Sequence, residues 1–288
     1  MKKCILALDI GGTSLKCGLF DGPMLISGSL DSQPVNSNGS FEVIHQAFFS
    51  LLGRVRNFAM MNGLLITEVS VDTPGPFDYN MGISRMTHKY QAIKDKPLAP
   101  VIRAPLGNLP VRFMHDSTAF IQGATAGFDG YSRFSGVMIG TGLGFALMID
   151  GEVLINKTGG PLYSIYSLPY RGGTAEDVVS ARGIVAAYNA RAGSPARAAK
   201  EVGDRAEAGD ELAISVYNEM AASLAEIIAP ILDECRIEAL LLGGQISKSF
   251  PLFGDTLREK LSGVSSLVYV NPAHDIDLVH LIGAAVGK

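Results

Sequence analysis

The feature that most constrains the fold is one pattern of strands and glycine turns that occurs twice along the chain. Near the N-terminus, apolar strand-like runs alternate with turns, and the first turn is Gly11-Gly12-Thr13. Residues 136–155 again spell strand, glycine loop, strand, tight turn and strand, with Gly140-Thr141-Gly142 in the loop. The repeat predicts two similar halves, each of which opens with a three-strand antiparallel meander.

Helices and strands alternate after each meander. In the first half, apolar residues at helical spacing predict a helix over 40–62, and a strand over 64–71 follows it. In the second half we expect helices over 175–192 and 210–234, the latter kinked at Pro230, then a strand over 238–242, a helix near 250–261, a strand over 267–270 and a terminal helix from 277. This alternation is typical of an α/β protein.

Composition limits the class of protein and its partners. The chain has 288 residues, of which 47% are hydrophobic, so it is long enough for two cores. A formal net charge of −4 without a basic run argues against nucleic acid or an anionic membrane as a partner. The residues before Asp9 are too few for a signal peptide, and three cysteines at unrelated spacings suit reduced thiols. We therefore expect a cytoplasmic globular protein.

The first glycine turn has the composition of a phosphate-binding loop. In Asp9-Ile10-Gly11-Gly12-Thr13 the two glycines let an anion approach the backbone, and Thr13 adds a hydroxyl donor. A carboxylate beside phosphates is favourable only with a cation between them, so Asp9 would face Mg²⁺, through water. A Gly-Gly hairpin turn with a solvated Asp9 is the alternative interpretation.

Two further glycine pairs support the same interpretation. Gly140-Thr141-Gly142 stands at the equivalent place in the second meander, and two such loops facing each other across a cleft would hold one phosphate chain from both sides. Gly243-Gly244 ends a predicted buried strand, where the absence of a Cβ would let a flat base lie against the backbone.

Several motifs, in the order in which they occur along the chain, resemble those of the ROK family (repressors, open reading frames and sugar kinases). This family belongs to the actin-like and hexokinase-like ATPases. The motifs are DIGGT at 9–13, the turn Pro74-Gly75-Pro76, an Asp at the head of a small-residue helix, GTGLG at 140–144 and LLGGQIS at 241–247. The resemblance implies a two-lobe actin-like ATPase (ribonuclease H-like) fold with a duplicated βββαβαβα core and an interlobe cleft. Its lobes would be 1–112, completed by the C-terminal helix 276–288, and 113–275.

The family's activity is ATP-dependent phosphorylation of a sugar hydroxyl with Mg²⁺, and relatives are often dimers. The resemblance therefore implies an ATP-dependent sugar kinase that binds a small-molecule sugar and ATP and forms, in some members, a homodimer. The implied phosphate and ATP contacts are Gly11, Gly12, Thr13, Lys16, Gly140, Thr141, Gly142, Gly243 and Gly244.

The implied general base is Asp116, which follows the family's asparagine position, here His115. A carboxylate after the strand 111–114 could take the proton of the attacking hydroxyl. Asp116 as a simple N-cap of the helix that begins at Ser117 is the alternative. His115 would contact the sugar, although a neutral imidazole offers only one hydrogen-bond donor.

The sequence departs from the family on the sugar side. The family's Gly-Glu-x-Gly-His segment and its zinc-binding cysteines are absent, because residues 153–173 contain no Asp, Glu, His or Cys. Structural zinc needs four N or S ligands, so we expect no zinc there. Glu176 stands at the position of the family's sugar-contacting glutamate, while Thr174 and Asp177 around it also read as a helix-capping arrangement.

Two turns complete the predicted sugar side. Gly75 resembles the family's glycine that presents backbone to the sugar, and an ordinary rigid turn is its alternative. His88 is either a substrate contact or an exposed loop histidine.

The alternative function is a catalytically weak or inactive sugar sensor that acts through a protein partner. With eight residues before Asp9 we expect no DNA-binding segment of the kind carried by the family's repressors.

Overall fold

A computed structural model describes residues 1–87 and 89–287, so His88, one of the residues considered above, lies outside the described residues. The chain divides into two compact units. The first comprises Met1–Gly127, Ile155–Pro161 and Asp277–Lys288, and the second comprises Phe128–Leu154 and Leu162–Ile276.

The first unit is built on a mixed sheet with strand order β3-β2-β1-β5-β8, and β4 pairs with β2. Strand β1 pairs antiparallel with β2 and parallel with β5, which in turn pairs parallel with β8. The elements are β1 (Lys2–Ile10), β2 (Ser14–Asp21), β3 (Met24–Leu25), β4 (Asp31–Pro34), α1 (Phe41–Met61), β5 (Leu64–Thr73), β6 (Phe77–Asp78), β7 (Ile83–Ser84), a 3-10 turn (Gln91–Ile93), α2 (Ala99–Leu106), β8 (Val111–His115) and α3 (Asp116–Thr125).

The second unit repeats this topology with the strand order β11-β10-β9-β14-β15, in which β9 and β10 are antiparallel and β9, β14 and β15 are parallel. Its elements are β9 (Arg133–Ile139), β10 (Leu143–Ile149), β11 (Glu152–Val153), β12 (Pro169–Tyr170), β13 (Gly173–Thr174), α4 (Ala175–Val178), α5 (Ala181–Asn189), α6 (Ala199–Glu207), α7 (Glu211–Glu234), β14 (Ala239–Gly243), a 3-10 segment (Gln245–Leu252), α8 (Gly254–Leu261) and β15 (Tyr269–Pro272). The predicted duplication is confirmed.

Helix α1 shows why the sequence pattern predicted its bounds well. The Ser40 hydroxyl accepts a hydrogen bond from the Val43 amide at 3.4 Å, which satisfies one of the free amides at the helix start. The helix stops before Gly63, whose φ of +64° is left-handed backbone that glycine adopts without strain. Between these ends, the periodic apolar side chains are buried in the core of the first unit.

Several predicted elements differ from the structure. The third strand of the first meander is only two residues long because Gly28 turns the chain at a φ of +77°, after which Ser29 hydrogen-bonds back to the carbonyl of Ile26. The helix expected over 175–192 is two helices. Ser180 interrupts it, since its hydroxyl caps the start of α5 by accepting from the Gly183 amide at 3.2 Å.

Helix α7 is long and apolar enough to cross a membrane by length and composition. It continues past Pro230 as one helix, and its apolar face is buried in the core of the second unit. Burial in that core accounts for its apolar character, because a helix packed on several sides needs few polar positions.

The C-terminal helix α9 (Val279–Val286) crosses α3 within the first unit. Glycines make the close approach possible: a Cβ at Gly283 would collide with the carbonyl of Ala119, and one at Gly123 would collide with the carbonyl of Val279. Residues 113–127 thus pack in the first unit through β8 and α3, whereas the sequence-based boundary had placed them after residue 112 in the second lobe.

Replacing Gly283 with Ala should destabilise the protein strongly. The new methyl group meets a backbone carbonyl that cannot move independently, and overpacking of this kind costs about 1–3 kcal/mol. Gly53 is the matched control, because it also lies in a helix but has open space around its Cβ position. Gly53→Ala should stabilise by about 0.5–1 kcal/mol. Thermal unfolding of both variants checks this, and equal melting temperatures would contradict the tight crossing.

Candidate active site

Three carboxylates meet at one edge of the first sheet. The parallel register pairs Asp9 of β1 with Asp72 of β5, and Thr73 of β5 with His115 of β8. Asp116 follows His115 directly, as the first residue of α3. The carboxyl ends of parallel strands meet at one edge of a sheet, and such edges commonly bind ligands. The register therefore brings Asp9 and Asp116, predicted separately from the sequence, to the same place.

Asp72 is a buried acid that the sequence analysis missed. Its side chain is 0% exposed, and neither carboxylate oxygen has a hydrogen-bond donor among the described residues. Burial raises the pKa of Asp72 well above its usual range, and the negative charges of Asp9 and Asp116 raise it further. The raised pKa favours the protonated form of Asp72, whose neighbour across the strands is Asp9.

His280 of the C-terminal helix α9 lies beside this cluster of carboxylates. The Nδ1 atom of His280 lies 4.0 Å from a carboxylate oxygen of Asp72, and its ring packs against Phe120 at a centroid distance of 5.9 Å. Burial raises the pKa of Asp9, while the charge of His280 opposes that rise. The sequence analysis also missed His280. Asp72 lies within an apolar strand and His280 within an apolar helix, and an ionisable residue in an apolar run is the sequence signal that could have indicated a buried polar site.

Asp116 sits in a polar niche formed by its own neighbours. One carboxylate oxygen lies 2.7 Å from Nδ1 of His115 and accepts a hydrogen bond from the Ser117 amide, also at 2.7 Å. Burial alone raises the pKa of Asp116, but the charge and hydrogen bond of His115 and the charge of His280 outweigh burial and hold that pKa well below its usual range. Asp116 is therefore an ionised carboxylate.

The same contacts assign the proton on His115. Its Nδ1 atom is also 3.1 Å from the Ser117 amide nitrogen, so it could serve as the acceptor that caps α3. An unprotonated Nδ1 would place a lone pair against the carboxylate of Asp116, which is repulsive. We infer that Nδ1 is protonated and donates to Asp116, while the Ser117 amide donates to Asp116 as well. The alternative of Asp116 as the N-cap of α3 is wrong in detail, since α3 begins at Asp116 and His115 holds the N-cap position, although the Asp116 carboxylate does accept from the Ser117 amide.

The predicted sugar-side residues of the first unit lie together. A Cβ at Gly75 would be 3.5 Å from the Tyr79 hydroxyl and 3.6 Å from Nε2 of His115. The rings of Tyr79 and His115 meet edge to face with centroids 5.6 Å apart, and the Tyr79 hydroxyl donates to the carbonyl of Thr73. The sequence analysis missed Tyr79, which carries the ring that supports His115.

Hydrogen bonds fix the backbone of the first glycine turn, and Lys89 lies beside it. Gly11 donates to the Ser14 carbonyl at 3.0 Å, and the buried Tyr90 hydroxyl donates to the Gly11 carbonyl at 2.7 Å. The Cδ of Lys89 lies 3.8 Å from the Cβ position of Gly12. Burial lowers the pKa of Lys89, while the charges of Asp116 and Asp9 raise it, and the half-buried side chain lies beside the turn.

Lys16 and Thr13 are also near this turn. Lys16 pairs with Asp9 across the β1–β2 hairpin, and its ammonium donates to the Asp277 carbonyl at 2.5 Å. The carbonyl of Thr13 accepts from the Val35 amide, which fixes the far side of the turn. Of the predicted phosphate contacts of the first half, Gly11, Gly12 and Thr13 share one turn, and Lys16 lies in the adjoining strand β2.

The second unit has its own glycine loop, between β9 and β10. Gly140 donates to the Gly142 carbonyl at 3.0 Å, which closes the loop. The Leu143 amide donates to a carboxylate oxygen of Glu176 at 3.0 Å. Glu176 was predicted to contact sugar or to support a helix start, and the structure pairs it with this loop.

Gly243 and Gly244 end β14 beside β9. Gly244 has a φ of +79°, and a Cβ there would collide with the backbone of Ile139, so the neighbouring strand alone requires glycine at this position. The Ser247 hydroxyl donates to the Gly243 carbonyl at 2.6 Å. The segment is thus a tight strand end whose backbone is already fixed by the fold.

Replacing Asp72 with Asn tests whether Asp72 carries a proton. The folded pKa of this acid is raised above the unfolded value of about 3.9, so its contribution to stability is full below pH 4 and is lost as pH rises. Asn is a neutral isostere without this loss. Asp72→Asn should therefore gain stability over the native protein as pH rises from 4 to 7, by up to about 1.4 kcal/mol per pH unit.

Thermal unfolding in metal-free buffer at four pH values measures this difference. The exposed Asp129 provides the control, because Asp129→Asn should parallel the native protein at every pH. A constant difference between Asp72→Asn and the native protein would mean that Asp72 is ionised in the fold.

Comparisons with known proteins agree with the architecture. The profile of the ROK family matches residues 5–162 and 167–285. A glucokinase from Thermotoga maritima is 26% identical, over 89% of this chain and 86% of that protein. The fold resembles a ROK family glucokinase from Streptomyces griseus solved in complex with glucose and AMPPNP, with a TM-score of 0.79, 21% identity and 98% of both chains covered.

The fold also resembles a ROK family transcriptional regulator described as a homolog of the E. coli MLC protein. The TM-score is 0.81 at 20% identity, with 99% of this chain and 78% of that chain covered. At these identities the structural likeness establishes the two-domain actin-like ATPase fold, as the sequence motifs predicted. Since the family profile covers nearly the whole chain, this protein belongs to the ROK family.

Proposed function

We propose that this protein is an ATP-dependent kinase that transfers the γ-phosphoryl group of ATP to a hydroxyl of a sugar or sugar derivative. The observation that carries the proposal is the ionised Asp116, which stands beside Gly75 and His115 and at the same sheet edge as the Asp9 turn. Membership in the ROK family and the glucokinase relative support the same activity.

Asp116 is the proposed catalytic base. Phosphoryl transfer proceeds through a loose transition state, so the acceptor hydroxyl needs to be oriented more than it needs a strong base. An ionised carboxylate with a lowered pKa can accept a hydrogen bond from that hydroxyl and take its proton late in the reaction. The hydrogen bonds from His115 and Ser117 fix one carboxylate oxygen and leave the other free to face the acceptor.

Phosphates would be bound by backbone amides and a cation. In the first unit these are the turn at Gly11, Gly12 and Thr13 and the ammonium of Lys89 above it. In the second unit the loop at Gly140-Thr141-Gly142 offers the equivalent backbone, and Gly243-Gly244 the backbone for the base. Lys16, held at the Asp277 carbonyl, adds positive charge near Asp9.

The carboxylates at the sheet edge fit a magnesium ion bound largely by phosphate and water. Among residues 1–87 and 89–287, no three His, Cys, Asp or Glu side chains are arranged to hold a metal by themselves. Mg²⁺ characteristically keeps several waters and takes one or two carboxylates plus substrate phosphates. Asp9 is the proposed carboxylate, and bound Mg²⁺ would supply charge neutralisation between the phosphates.

The acceptor would lie against Gly75, Tyr79 and His115. The backbone of Gly75 and the Nε2 atom of His115 supply polar groups, and the buried ring of Tyr79 supports His115 from behind. The proposal includes a cytoplasmic location, because free cysteines such as the three in this chain are typical of reducing compartments. It is also compatible with a homodimer.

A sugar sensor that acts through a protein partner is the second candidate. Likeness to a ROK transcriptional regulator and the lack of acidic or histidine side chains over 153–173 favour it. An ADP-release screen over hexoses, amino sugars, acylated amino sugars and glycosides separates the two. Turnover on at least one sugar supports the kinase, whereas tight sugar binding with turnover on none supports the sensor.

Replacing Asp116 with Ala or Asn should reduce kcat by about 10² to 10⁴, the usual size of a general-base contribution. Equilibrium binding of the nucleotide analogue AMPPNP with Mg²⁺ should change less than threefold, because Asp116 acts on the acceptor. Asp129→Asn serves as the control for a surface charge change. Unchanged kcat in the Asp116 variants would remove this residue from the mechanism.

Replacing Lys89 with Gln should weaken the binding of Mg²⁺ and AMPPNP about tenfold, the size of one charge-assisted hydrogen bond. Lys94 is the matched control, since its exposed side chain lies five positions along the same segment. Isothermal titration calorimetry of Lys89→Gln and Lys94→Gln measures the effect. Equal affinities of the two variants would show that Lys89 does not contact phosphate.

A further inference from the structure

One short segment holds both ends of the glycine loop in the second unit. At the loop's far end, the Leu143 amide donates to Oε2 of Glu176 at 3.0 Å. At its near end, the Gly140 carbonyl accepts from the Ala181 amide at 2.8 Å. The segment 176–181 therefore contacts the loop where it leaves β9 and again where it enters β10.

The carboxylate of Glu176 also lies against the middle of the loop. A Cβ at Gly142 would be 2.7 Å from Oε2 of Glu176, a distance that real Cβ atoms do not show. A Cβ at position 142 would push the Glu176 carboxylate away from the loop, so glycine there allows the observed contact. The Glu176 side chain is 22% exposed, as expected of a group that packs against the loop.

Arg182 forms an ion pair with Glu176. Its Nη2 atom donates to Oε1 of Glu176 and to a carboxylate oxygen of Asp177, each at 3.0 Å. A bare carboxylate next to bound phosphates would repel them, and Arg182, which Glu176 shares with Asp177, offsets part of that negative charge. Glu176 can thus stay at the loop when a nucleotide is bound.

The segment that carries Glu176 is itself fixed. Thr174 and Asp177 form a capping box at the start of α4, and Ala175 and Val179 are fully buried in the core of the second unit. Both oxygens of Glu176 have partners within the unit, one on the Leu143 amide and one on Arg182. A side chain held in this way is suited to fix the backbone of its neighbour.

We propose that Glu176 is a positioning residue for the phosphate loop, which it holds in the form that receives a phosphate. The inference rests on the proposed function, since it takes the Gly140-Thr141-Gly142 loop to be a phosphate-binding loop. It differs from the sugar contact implied by the position of Glu176 in the family motif, because the carboxylate acts on the nucleotide side.

Binding of Mg²⁺ and AMPPNP in sugar-free buffer tests the role by isothermal titration calorimetry. Glu176→Ala removes the acceptor, and Glu176→Asp shortens the side chain by one methylene so that it no longer reaches the Leu143 amide. Both should raise the Kd about tenfold, the range of a hydrogen bond to a charged group. Glu176→Gln keeps an acceptor oxygen at the same reach and should stay within threefold of the native protein.

Asp177→Ala is the control, because Asp177 shares Arg182 and the capping box but does not contact the loop. It should lower the melting temperature and leave the Kd within threefold. Normal binding by the native protein with an unchanged Kd in Glu176→Ala and Glu176→Asp would overturn the inference alone. Absence of nucleotide binding in the native protein would overturn the proposed function and the inference with it.

Discussion

The register of three parallel strands is the constraint on which the first unit's site depends. Strands β1, β5 and β8 place Asp9 beside Asp72 and bring His115 level with Thr73. Two neighbouring buried carboxylates cannot both remain charged at low cost, so one keeps its proton. Burial raises the pKa of Asp9 and of the fully buried Asp72, whereas the pKa of Asp116 is held low, so Asp116 is the carboxylate at this edge that stays ionised.

The sequence predicted the architecture well because its signals are local and repeated. The hairpin glycines at 11–12 and at 140–142 mark the start of each unit, and both sheets have the topology that the repeat implied. The bounds of a helix were predicted correctly where a capping residue marks its start, as Ser40 does for α1. The split between α4 and α5 was missed because it depends on the extended backbone of Ser180 and on the hydrogen bond that its hydroxyl accepts from the Gly183 amide, which the spacing of apolar residues does not show.

The candidate site was predictable where it depends on motifs and unpredictable where it depends on distant contacts. Asp9, Gly75, His115 and Asp116 were named from sequence, and the fold brings them to one region of the first unit. Asp72, Tyr79, Lys89 and His280 were not, since each gains its role from a partner far along the chain. Glu176 was named, but its contact with Leu143 spans 33 positions and no spacing rule indicates it.

The crossing of α3 by α9 has a consequence for how the chain matures. Helix α9 supplies His280 to the acid cluster and fills the groove shaped by Gly123, although it is made after the whole second unit. During synthesis, domains tend to fold as soon as they emerge from the ribosome. The first unit is unable to do so fully, because β8 and α3 stay uncovered until α9 is translated. The acid cluster is therefore assembled only after the whole second unit has been synthesised.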